Sequence, residues 1–524
     1  MDAGYQFQQH RSQGKDVAGP GQRLASDLLG RHVSQRPRVS VPPLDAIPSG
    51  VYTSPIVVRA SPPVLSADLF AIPLDSGDYL IYAPLRRAGF VANARIVNVL
   101  ADLKNGRFDR EADPDGALML FLRRLEILDG GPETLPVTIF NGLPEATSVT
   151  LFLTTACNLR CTYCYASAGD APVKSMSVEV ARRGIDFVAA NAVRMKSGSF
   201  EINYHGGGEP SANWHVMTES LAYAQARAQE LGLKPPLASA ASNGVLRDDQ
   251  IDWITTHLHG GVSVSFDGLP SAHDRHRLTV LGTGSSERVM HTLRRFDAAG
   301  YSYGIRVTVT ADQIEQLPDS VEFICSHFRT QRVQVEPAYQ LGRWRDAPTA
   351  ETEGFIAAYR LAQERAAKHG REIFFSAARV ETLGNHFCGV TQDTFALSPG
   401  GNVSACYEVF SEDSPWSKVF FYGRPNDNDG GYHFDLPVLN HLRGHAVQHR
   451  EFCQGCFAKW TCAGDCYHKA VDVTGQLEFQ GTDRCHIIRE LTKDQILTNI
   501  AATGGLFWHA GSVRAGVCGK EELL

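Results

Sequence analysis

The chain has no apolar run approaching the roughly 18 residues that a membrane-spanning helix needs. Its N-terminus, "MDAGYQFQQHRSQGKD", also lacks the apolar segment of a secretory signal. The 50 Lys and Arg residues are balanced by 57 Asp and Glu residues, so the net charge is −7 and there is no basic excess. These absences predict a cytoplasmic protein that binds neither nucleic acid nor a membrane surface.

The sequence also lacks internal repeats, and its 524 residues suggest about three domains at roughly 150 residues each. Hydrophobic residues make up 43% of the chain, which is enough for a sizeable core. Residues 1–50 are rich in Gln, Arg, Ser, Gly and Pro and have no sustained apolar period. We therefore expect a disordered tail over 1–50.

Residues 63–140 are predicted to form a small α+β module. The segment "DYLIYAPL" (78–85) is typical of a strand. Apolar residues recur at i, i+3, i+4 and i+7 in "ANARIVNVLADLKNG" (92–106) and "DGALMLFLRRLEILDGG" (115–131), and each segment ends in glycine. One strand and two amphipathic helices suit a compact winged-helix module.

Residues 148–370 alternate between short β-rich runs and helical segments. Six such runs are present: "VTLFLT", "FEINYH", "LASAAS", "VSVSFD", "IRVTVT" and "VQVEPA". Six βα units predict a partial or closed (β/α)6 barrel that resembles a TIM barrel and belongs to the α/β class. In such barrels the functional groups lie on the loops that follow the C-terminal ends of the strands.

Residues 375–490 are rich in cysteine and loops and are predicted to be a further domain, followed by a C-terminal helix and tail over 491–524. The chain has twelve cysteines, and ten of them fall into two spaced groups. A cytoplasmic protein keeps its thiols reduced, so grouped cysteines indicate metal binding and not disulfides.

The first group lies in "LTTACNLRCTYCYASAG" (153–169), directly after the first predicted strand. Cys157, Cys161 and Cys164 would hold three corners of a 4Fe–4S cluster and leave the fourth iron open to a small molecule. From these cysteines alone, an incomplete zinc site or a set of buried thiols is the alternative. The glycine-rich segment "YHGGGEPS" (204–211) ends the next strand, where backbone can approach a ligand closely.

This C-x3-C-x2-C motif followed by a GGE segment resembles the radical S-adenosylmethionine (radical SAM) superfamily. The resemblance implies that SAM caps the open iron and is cleaved to a 5′-deoxyadenosyl radical. The SAM contacts that it implies are Tyr163, Gly207, Gly208, Glu209, Pro210, Ser242, Asn243 and Ser265. Ser265 lies at the end of the fourth predicted strand, and the alternative for that segment is a turn formed by Asp267 and Gly268. The side of its strand to which Arg306 points is left open, and a surface charge or a strand-end charge is its alternative role.

The second cysteine group resembles the SPASM extension of radical SAM proteins. By the family pattern, one auxiliary 4Fe–4S cluster is held by Cys388, Cys406 and Cys466. The other is held by Cys453, Cys456, Cys462 and Cys485, which gives three 4Fe–4S clusters in all. The fourth ligand of the first auxiliary cluster is not identified. A zinc ribbon built on Cys453, Cys456, Cys462 and Cys466 is the alternative.

SPASM proteins mostly modify peptides or proteins, and the 63–140 module resembles PqqD-like peptide-recognition domains. Its alternative role is to cap the barrel without binding a partner. In the sulfatase-maturing branch of the family an Asp directly follows the second SPASM cysteine and acts as the base. Tyr407 holds that place here, which counts against formylglycine formation. Tyr407 and Glu408 are candidate acid/base residues, with packing against the cluster as the alternative.

The sequence therefore predicts a cytoplasmic radical SAM/SPASM oxidoreductase that matures a ribosomally synthesised precursor peptide (RiPP maturation). The expected reaction is an oxidative crosslink, which could be a C–C, thioether or ether bond. The leader of the peptide is expected on residues 63–140, and a reductant such as flavodoxin or ferredoxin would supply electrons. The alternatives are anaerobic sulfatase-maturase-type protein oxidation, a small-molecule dehydrogenase or epimerase, and a non-catalytic electron-transfer protein.

Overall fold

The computed structural model describes residues 64–107, 113 and 116–508. The predicted tail at 1–50 and the end of the chain beyond 508 lie outside the described residues. Within them the strands are β1 Phe70–Pro73, β2 Tyr79–Ala83, β3 Ala88–Ala92, β4 Ser148–Phe152, β5 Glu201–His205, β6 Leu237–Ser242, β7 Val262–Ser265, β8 Tyr303–Val309, β9 Arg332–Pro337, β10 Glu372–Phe374, β11 Ala396–Leu397, β12 Val403–Ser404, β13 Phe421–Pro425, β14 Tyr432–Phe434 and β15 Leu506–Trp508.

The α-helices of the described chain alternate with the strands through the middle of the sequence. They are Ala94–Lys104, Ala117–Arg124, Val178–Arg194, Trp214–Glu230, Asp248–His257, Pro270–His276, Ser286–Ala298, Leu317–His327, Thr352–Lys368, Ser417–Phe420, Leu436–Arg443, Lys459–Cys462, Tyr467–Thr474 and Arg484–Ala502.

A single mostly parallel sheet of eleven strands organises the centre of the molecule. Its order is β10-β9-β8-β7-β6-β5-β4-β11-β12-β13-β14. The six strands predicted from the sequence are β4 to β9, and each pairs in parallel with its neighbour. This confirms the α/β class. No pairing joins β10 to β14 in the described chain, so the sheet stays open, as a partial barrel does.

The cysteine-rich region continues this sheet, which the sequence pattern did not indicate. β11 pairs in parallel with β4, and β12, β13 and β14 follow in antiparallel order. These strands are two to five residues long, and such short segments cannot show the alternation by which a strand is recognised.

The helices cover one face of the sheet and leave the other for polar side chains. On β4, Val149 and Leu151 are fully buried in the core beneath the helix Val178–Arg194. That helix approaches closely because Gly184 lacks a side chain, and a Cβ there would lie 2.4 Å from Leu397 Cδ1. On the opposite face, Asn203 accepts a hydrogen bond from Ser239 at 2.5 Å.

The N-terminal module has its own antiparallel sheet, ordered β1-β2-β3-β15, and its own core cluster. The helices Ala94–Lys104 and Ala117–Arg124 lie within the two segments predicted to be helical. The fourth strand comes from the far end of the chain, since Leu506 of β15 pairs with Phe90 of β3. The edge of β3 is therefore already occupied by the chain itself.

We expect Leu151→Ala to lower the free energy of unfolding by about 2–5 kcal/mol, because it opens a cavity under the helix that covers β4. The midpoint of urea denaturation, followed by far-UV circular dichroism, measures this. The matched control is Leu281→Ala, where the side chain is 86% exposed. The control should change the free energy of unfolding by no more than about 0.5 kcal/mol, and a Leu151→Ala loss of that size or smaller would contradict the assignment of Leu151 to the core.

Candidate functional site

Three cysteines converge on the loop that follows β4, at the C-terminal end of the parallel strands. Burial raises the pKa of the Cys157 thiol to about 12, and Glu209, Cys161 and Cys164 add to the rise. Burial likewise raises the pKa of Cys161 to about 11, partly offset by the positive charge of Arg277. The three thiols therefore share one partly buried site, which we call the barrel cysteines.

Arg343, which the sequence did not indicate, stabilises this loop through hydrogen bonds to its backbone. Its Nη1 donates to the Cys161 carbonyl at 3.0 Å, and its backbone amide donates to the Cys164 carbonyl at 3.1 Å. The guanidinium also pairs with Asp170 through two bonds of 2.7 Å. Gly342 permits the approach, because a Cβ there would lie 2.3 Å from the Cys164 carbonyl oxygen.

A buried ion pair fixes Tyr163 beside the same loop. Asp267 accepts hydrogen bonds from Arg277 at 2.8 and 3.3 Å and from the Thr308 amide at 2.9 Å, and the Tyr163 hydroxyl donates to it as well. The Arg277 guanidinium also lies over the Tyr163 ring, 5.1 Å from its centre. Burial opposes ionisation of Asp267, but Arg277, His273 and the Thr308 amide together outweigh burial and keep the pKa of this carboxyl below its usual value. Asp267 is thus the buried anion that positions Tyr163, and not merely a turn residue.

The glycine-rich loop after β5 packs directly on the cysteine loop. The Glu209 amide donates to the Ala156 carbonyl at 2.8 Å. A Cβ on Gly208 would lie 2.1 Å from that same carbonyl oxygen, and one on Gly207 would lie 2.1 Å from the Phe410 ring. Gly208 is therefore required for the close approach of the two loops, and Gly207 makes room for the Phe410 ring. Pro210 begins the short helical turn that follows.

Glu209 is a buried carboxylate, 2% exposed, that lies beside the barrel cysteines. It accepts hydrogen bonds from Ser242 Oγ at 2.9 Å and from the Asn243 amide at 2.7 Å. Asn243 in turn donates to Cys157 Sγ at 3.6 Å. Burial raises the pKa of Glu209. No Lys, Arg or His within the described ranges forms an ion pair with this carboxylate, so the site can accommodate a cationic ligand.

Two further predicted positions lie on neighbouring strands. Ser265 ends β7 and is paired in register with Arg306 of β8. Because Ile305 and Val307 point into the core under the helices, Arg306 points to the polar face of the sheet. Arg306 is therefore an interior charge, and neither of the two roles left open by the sequence describes it fully.

The C-terminal cysteines form two separate groups. In the first, which we call the C-terminal triad, the thiols that act electrostatically on one another are Cys388, Cys406 and Cys466. In the second, the C-terminal tetrad, they are Cys453, Cys456, Cys462 and Cys485. Cys466 stands with the triad and not with the tetrad, which disfavours the zinc-ribbon alternative.

The two candidate acid/base residues differ in their surroundings. The Tyr407 side chain is 42% exposed, and its ring lies 5.4 Å from that of His205 at the end of β5. Burial of its hydroxyl raises the pKa of Tyr407. Glu408 accepts hydrogen bonds from His468 at 2.8 Å and pairs with Lys469 at 3.3 Å. Burial opposes its ionisation, but Lys469 and His468 hold the pKa of Glu408 well below its usual value.

The cysteine groups suit iron–sulfur clusters better than single metal ions. Across the described residues, no three His, Cys, Asp or Glu side chains converge as ligands of one ion do. A 4Fe–4S cluster binds each thiolate at a different iron, so its cysteines stand farther apart. Arg450 is 5% exposed and faces thiols of both C-terminal groups without an ion-pairing carboxylate in the described chain. A buried cation is stabilised there if the thiols are metal-bound thiolates.

Comparison with known proteins agrees with this geometry. Residues 151–324 match the family described as the Radical SAM superfamily. The chain therefore carries a radical SAM domain, which confirms the resemblance noted in the sequence. Such a domain implies a 4Fe–4S cluster and SAM as cofactors.

Among curated relatives, the mycofactocin maturase MftC of Mycolicibacterium smegmatis is 26% identical over 279 residues, covering 51% of this chain and 65% of that protein. The chain thus spans slightly less than two thirds of that relative. MftC of Mycobacterium ulcerans is 25% identical over 346 residues, covering 62% and 84%. The sporulation killing factor maturation protein SkfB of Bacillus subtilis is 26% identical over 179 residues, covering 33% and 38%.

Among solved structures, native anSMEcpe with bound AdoMet superposes with a TM-score of 0.53 at 17% sequence identity. The superposition covers 68% of this chain and 99% of that one. At this identity the similarity shows a shared fold. No helix in the described part of the chain is long and apolar enough to cross a bilayer.

We expect Asp267→Asn to lower the free energy of unfolding by about 3–5 kcal/mol, because it leaves the Arg277 charge buried without its partner. Urea denaturation followed by far-UV circular dichroism measures this. The control is Asp248→Asn, which removes the carboxylate of an exposed pair with His291 and Arg295. Equal midpoints for the two variants would contradict a structural role for the buried pair.

Proposed function

We propose that this chain is a cytoplasmic radical SAM/SPASM oxidoreductase that matures a ribosomally synthesised precursor peptide by oxidative crosslinking. The observation that carries the proposal is the meeting of the barrel cysteines with the buried, ion-pair-free carboxylate of Glu209. The maturase relatives support a peptide substrate.

In this proposal the barrel cysteines hold a 4Fe–4S cluster whose open iron binds SAM. When bound, the cluster supplies the electron that cleaves SAM to a 5′-deoxyadenosyl radical. Glu209 pairs with the ammonium group of SAM, and the glycines before it let the backbone approach the ligand. The remaining SAM contacts are assigned to Tyr163, Pro210, Ser242, Asn243 and Ser265.

The C-terminal triad and tetrad are proposed to hold two auxiliary 4Fe–4S clusters, for three in total. An oxidative crosslink removes a pair of hydrogen atoms from the peptide. The 5′-deoxyadenosyl radical would abstract one as a hydrogen atom, and the other would leave as a proton and an electron. An auxiliary cluster is the proposed electron acceptor, and flavodoxin or ferredoxin is the proposed external reductant.

Tyr407 and Glu408 are proposed to handle the proton. Glu408 is held as a carboxylate by Lys469 and His468, yet its side chain is 20% exposed, so it is the group able to accept a proton. The raised pKa of Tyr407 keeps its hydroxyl protonated, so it can serve only as a hydrogen-bond or proton donor and not as the base.

The leader of the peptide is proposed to dock on the 63–140 module by adding a strand to its sheet. Since β15 already pairs with β3, the added strand would use the outer edge of β1. The Leu74 amide donates to the Asp78 carbonyl at 2.9 Å, toward β2. By the alternation of an antiparallel ladder, Ala71 then directs its backbone groups outward, where a peptide can bind them.

The first test is SAM cleavage after anaerobic reconstitution with iron, sulfide, dithionite and SAM. Cys161→Ala should reduce 5′-deoxyadenosine, measured by liquid chromatography and mass spectrometry, to background, because the cluster loses a ligand. The control is Cys325→Ala, since that cysteine is buried in the helix Leu317–His327. Wild-type protein that binds zinc instead of iron, or an active Cys161→Ala variant, would overturn the proposal.

The second test concerns the peptide. Each short open reading frame beside the gene is co-expressed with the chain, and its product is examined for the loss of a pair of hydrogen atoms. Ala71→Pro removes one outward-pointing amide and leaves the backbone hydrogen bonds between β1 and β2 intact. The affinity of the chain for the unmodified precursor peptide should therefore fall about three- to tenfold. Ala71→Val, which keeps the amide, serves as the control. Equal affinities for both variants would exclude the β1 edge.

A further inference from the structure

Arg450 lies between the C-terminal triad and the C-terminal tetrad. Its carbonyl accepts a hydrogen bond of 3.1 Å from the amide of Cys453, a member of the tetrad. Its guanidinium donates to the carbonyl of Gly464. Gly464 lies in the segment 462–466, which begins with a cysteine of the tetrad and ends with a cysteine of the triad. Arg450 thus connects the chain segments that carry both groups.

The guanidinium of Arg450 is buried in a setting that offers hydrogen bonds but no compensating carboxylate. Its Nε donates to the His445 carbonyl at 2.7 Å, and its charge lies 4.5 Å from the centre of the Phe479 ring. The Asp465 carboxylate is already bound by Arg484 through bonds of 2.7 and 2.9 Å. In the part of the chain that the structure describes, no acidic side chain forms an ion pair with Arg450.

The charge of Arg450 reaches thiols of both groups. Burial raises the pKa of Cys453 to about 11, and Arg450 is the largest influence that opposes the rise. Burial also raises the pKa of Cys388 in the triad, where Arg379 and Arg450 both oppose it. A buried positive charge is therefore placed where two sets of cysteines would carry negative charge once they bind metal.

Arg379, on another segment of the chain, also contacts both the triad and the tetrad. Its Nη1 donates to the Phe387 carbonyl at 3.3 Å, next to Cys388 of the triad. Its Nη2 donates to the carbonyl of Cys462 in the tetrad at 3.4 Å. Two arginines thus bridge the backbone of one group to the backbone of the other.

We propose that Arg450, together with Arg379, raises the reduction potentials of the clusters at the triad and the tetrad. The inference rests on the proposed auxiliary clusters. Reduction adds one electron, and hence one negative charge, to a buried cluster, and a fixed cation nearby stabilises that charge. Arg450 is in this sense a positioning residue, because it acts on electron acceptance and not on the substrate.

The test is a potentiometric titration of the anaerobically reconstituted full chain with dithionite, followed by electron paramagnetic resonance. Arg450→Gln keeps a hydrogen-bond donor but removes the charge. At a fixed potential it should lower the ratio of reduced to oxidised auxiliary cluster at least about tenfold, which corresponds to 59 mV for one electron. Arg450→Lys keeps the positive charge, so the reduction potentials of its auxiliary clusters should lie close to those of the wild type. The cluster at the barrel cysteines, identified by the change of its signal on adding SAM, should keep its potential.

The matched control is Arg443→Gln, since Arg443 is also buried in this region but is paired with Asp393 at 2.6 Å. Should Arg450→Gln fail to retain iron, Arg379→Gln takes its place and must shift the potentials in the same direction. Unchanged auxiliary potentials in a variant with full iron and sulfide content would overturn the inference. Wild-type protein without auxiliary iron would instead refute the proposed clusters, so the two failures are distinguishable.

Discussion

The structure depends on stabilising acidic groups, thiols and carboxylates, in the interior of the protein. The thiols of Cys157 among the barrel cysteines and of Cys462 in the C-terminal tetrad lie in surroundings where burial opposes ionisation. Glu209, Asp267 and Glu408 are buried acids in the same part of the molecule. Burying such groups costs several kcal/mol each unless cations or donors compensate. Arg277 compensates Asp267 and Lys469 compensates Glu408, whereas Glu209 is held by hydrogen-bond donors.

Each of these cations also positions a chain segment. Arg343 fixes the cysteine loop through its carbonyls, and Arg277 fixes Asp267 and with it Tyr163. Lys469 fixes Glu408 beside the triad. The same side chains therefore supply both charge balance and geometry.

The parallel sheet explains why remote segments of the sequence meet. The cysteine loop, the glycine-rich loop and the segment around Asn243 follow three successive strands, β4, β5 and β6, so they emerge at one edge of the sheet. β11 extends the sheet on the other side of β4 and brings the cysteine-rich region next to the same strand. Ordinary strand pairing thus joins the two halves of the candidate site.

The periodicity of the sequence could predict six strands and their loops, because long buried strands and amphipathic helices leave a local pattern. The grouping of Glu209 and Asn243 with Cys157 followed from the topology of such a sheet. The roles of Arg343, Asp267 and Arg277 could not be predicted, because a buried ion pair is formed by residues distant in sequence and leaves no periodic signal. The pairing of β15 with β3 likewise could not be predicted from the sequence, since a three-residue strand has no recognisable pattern.

By itself the sequence determined the type of chemistry, since cysteine spacing and a glycine-rich turn are local features that a ligand imposes on neighbouring residues. Only the tertiary structure decided how charge is balanced around those features and which strand pairs with β3. Both depend on contacts between segments hundreds of residues apart, such as Arg343 with the loop of Cys161 and Leu506 with Phe90. Local sequence patterns indicate which ligand a segment can bind, whereas packing decides which other segment of the chain it contacts.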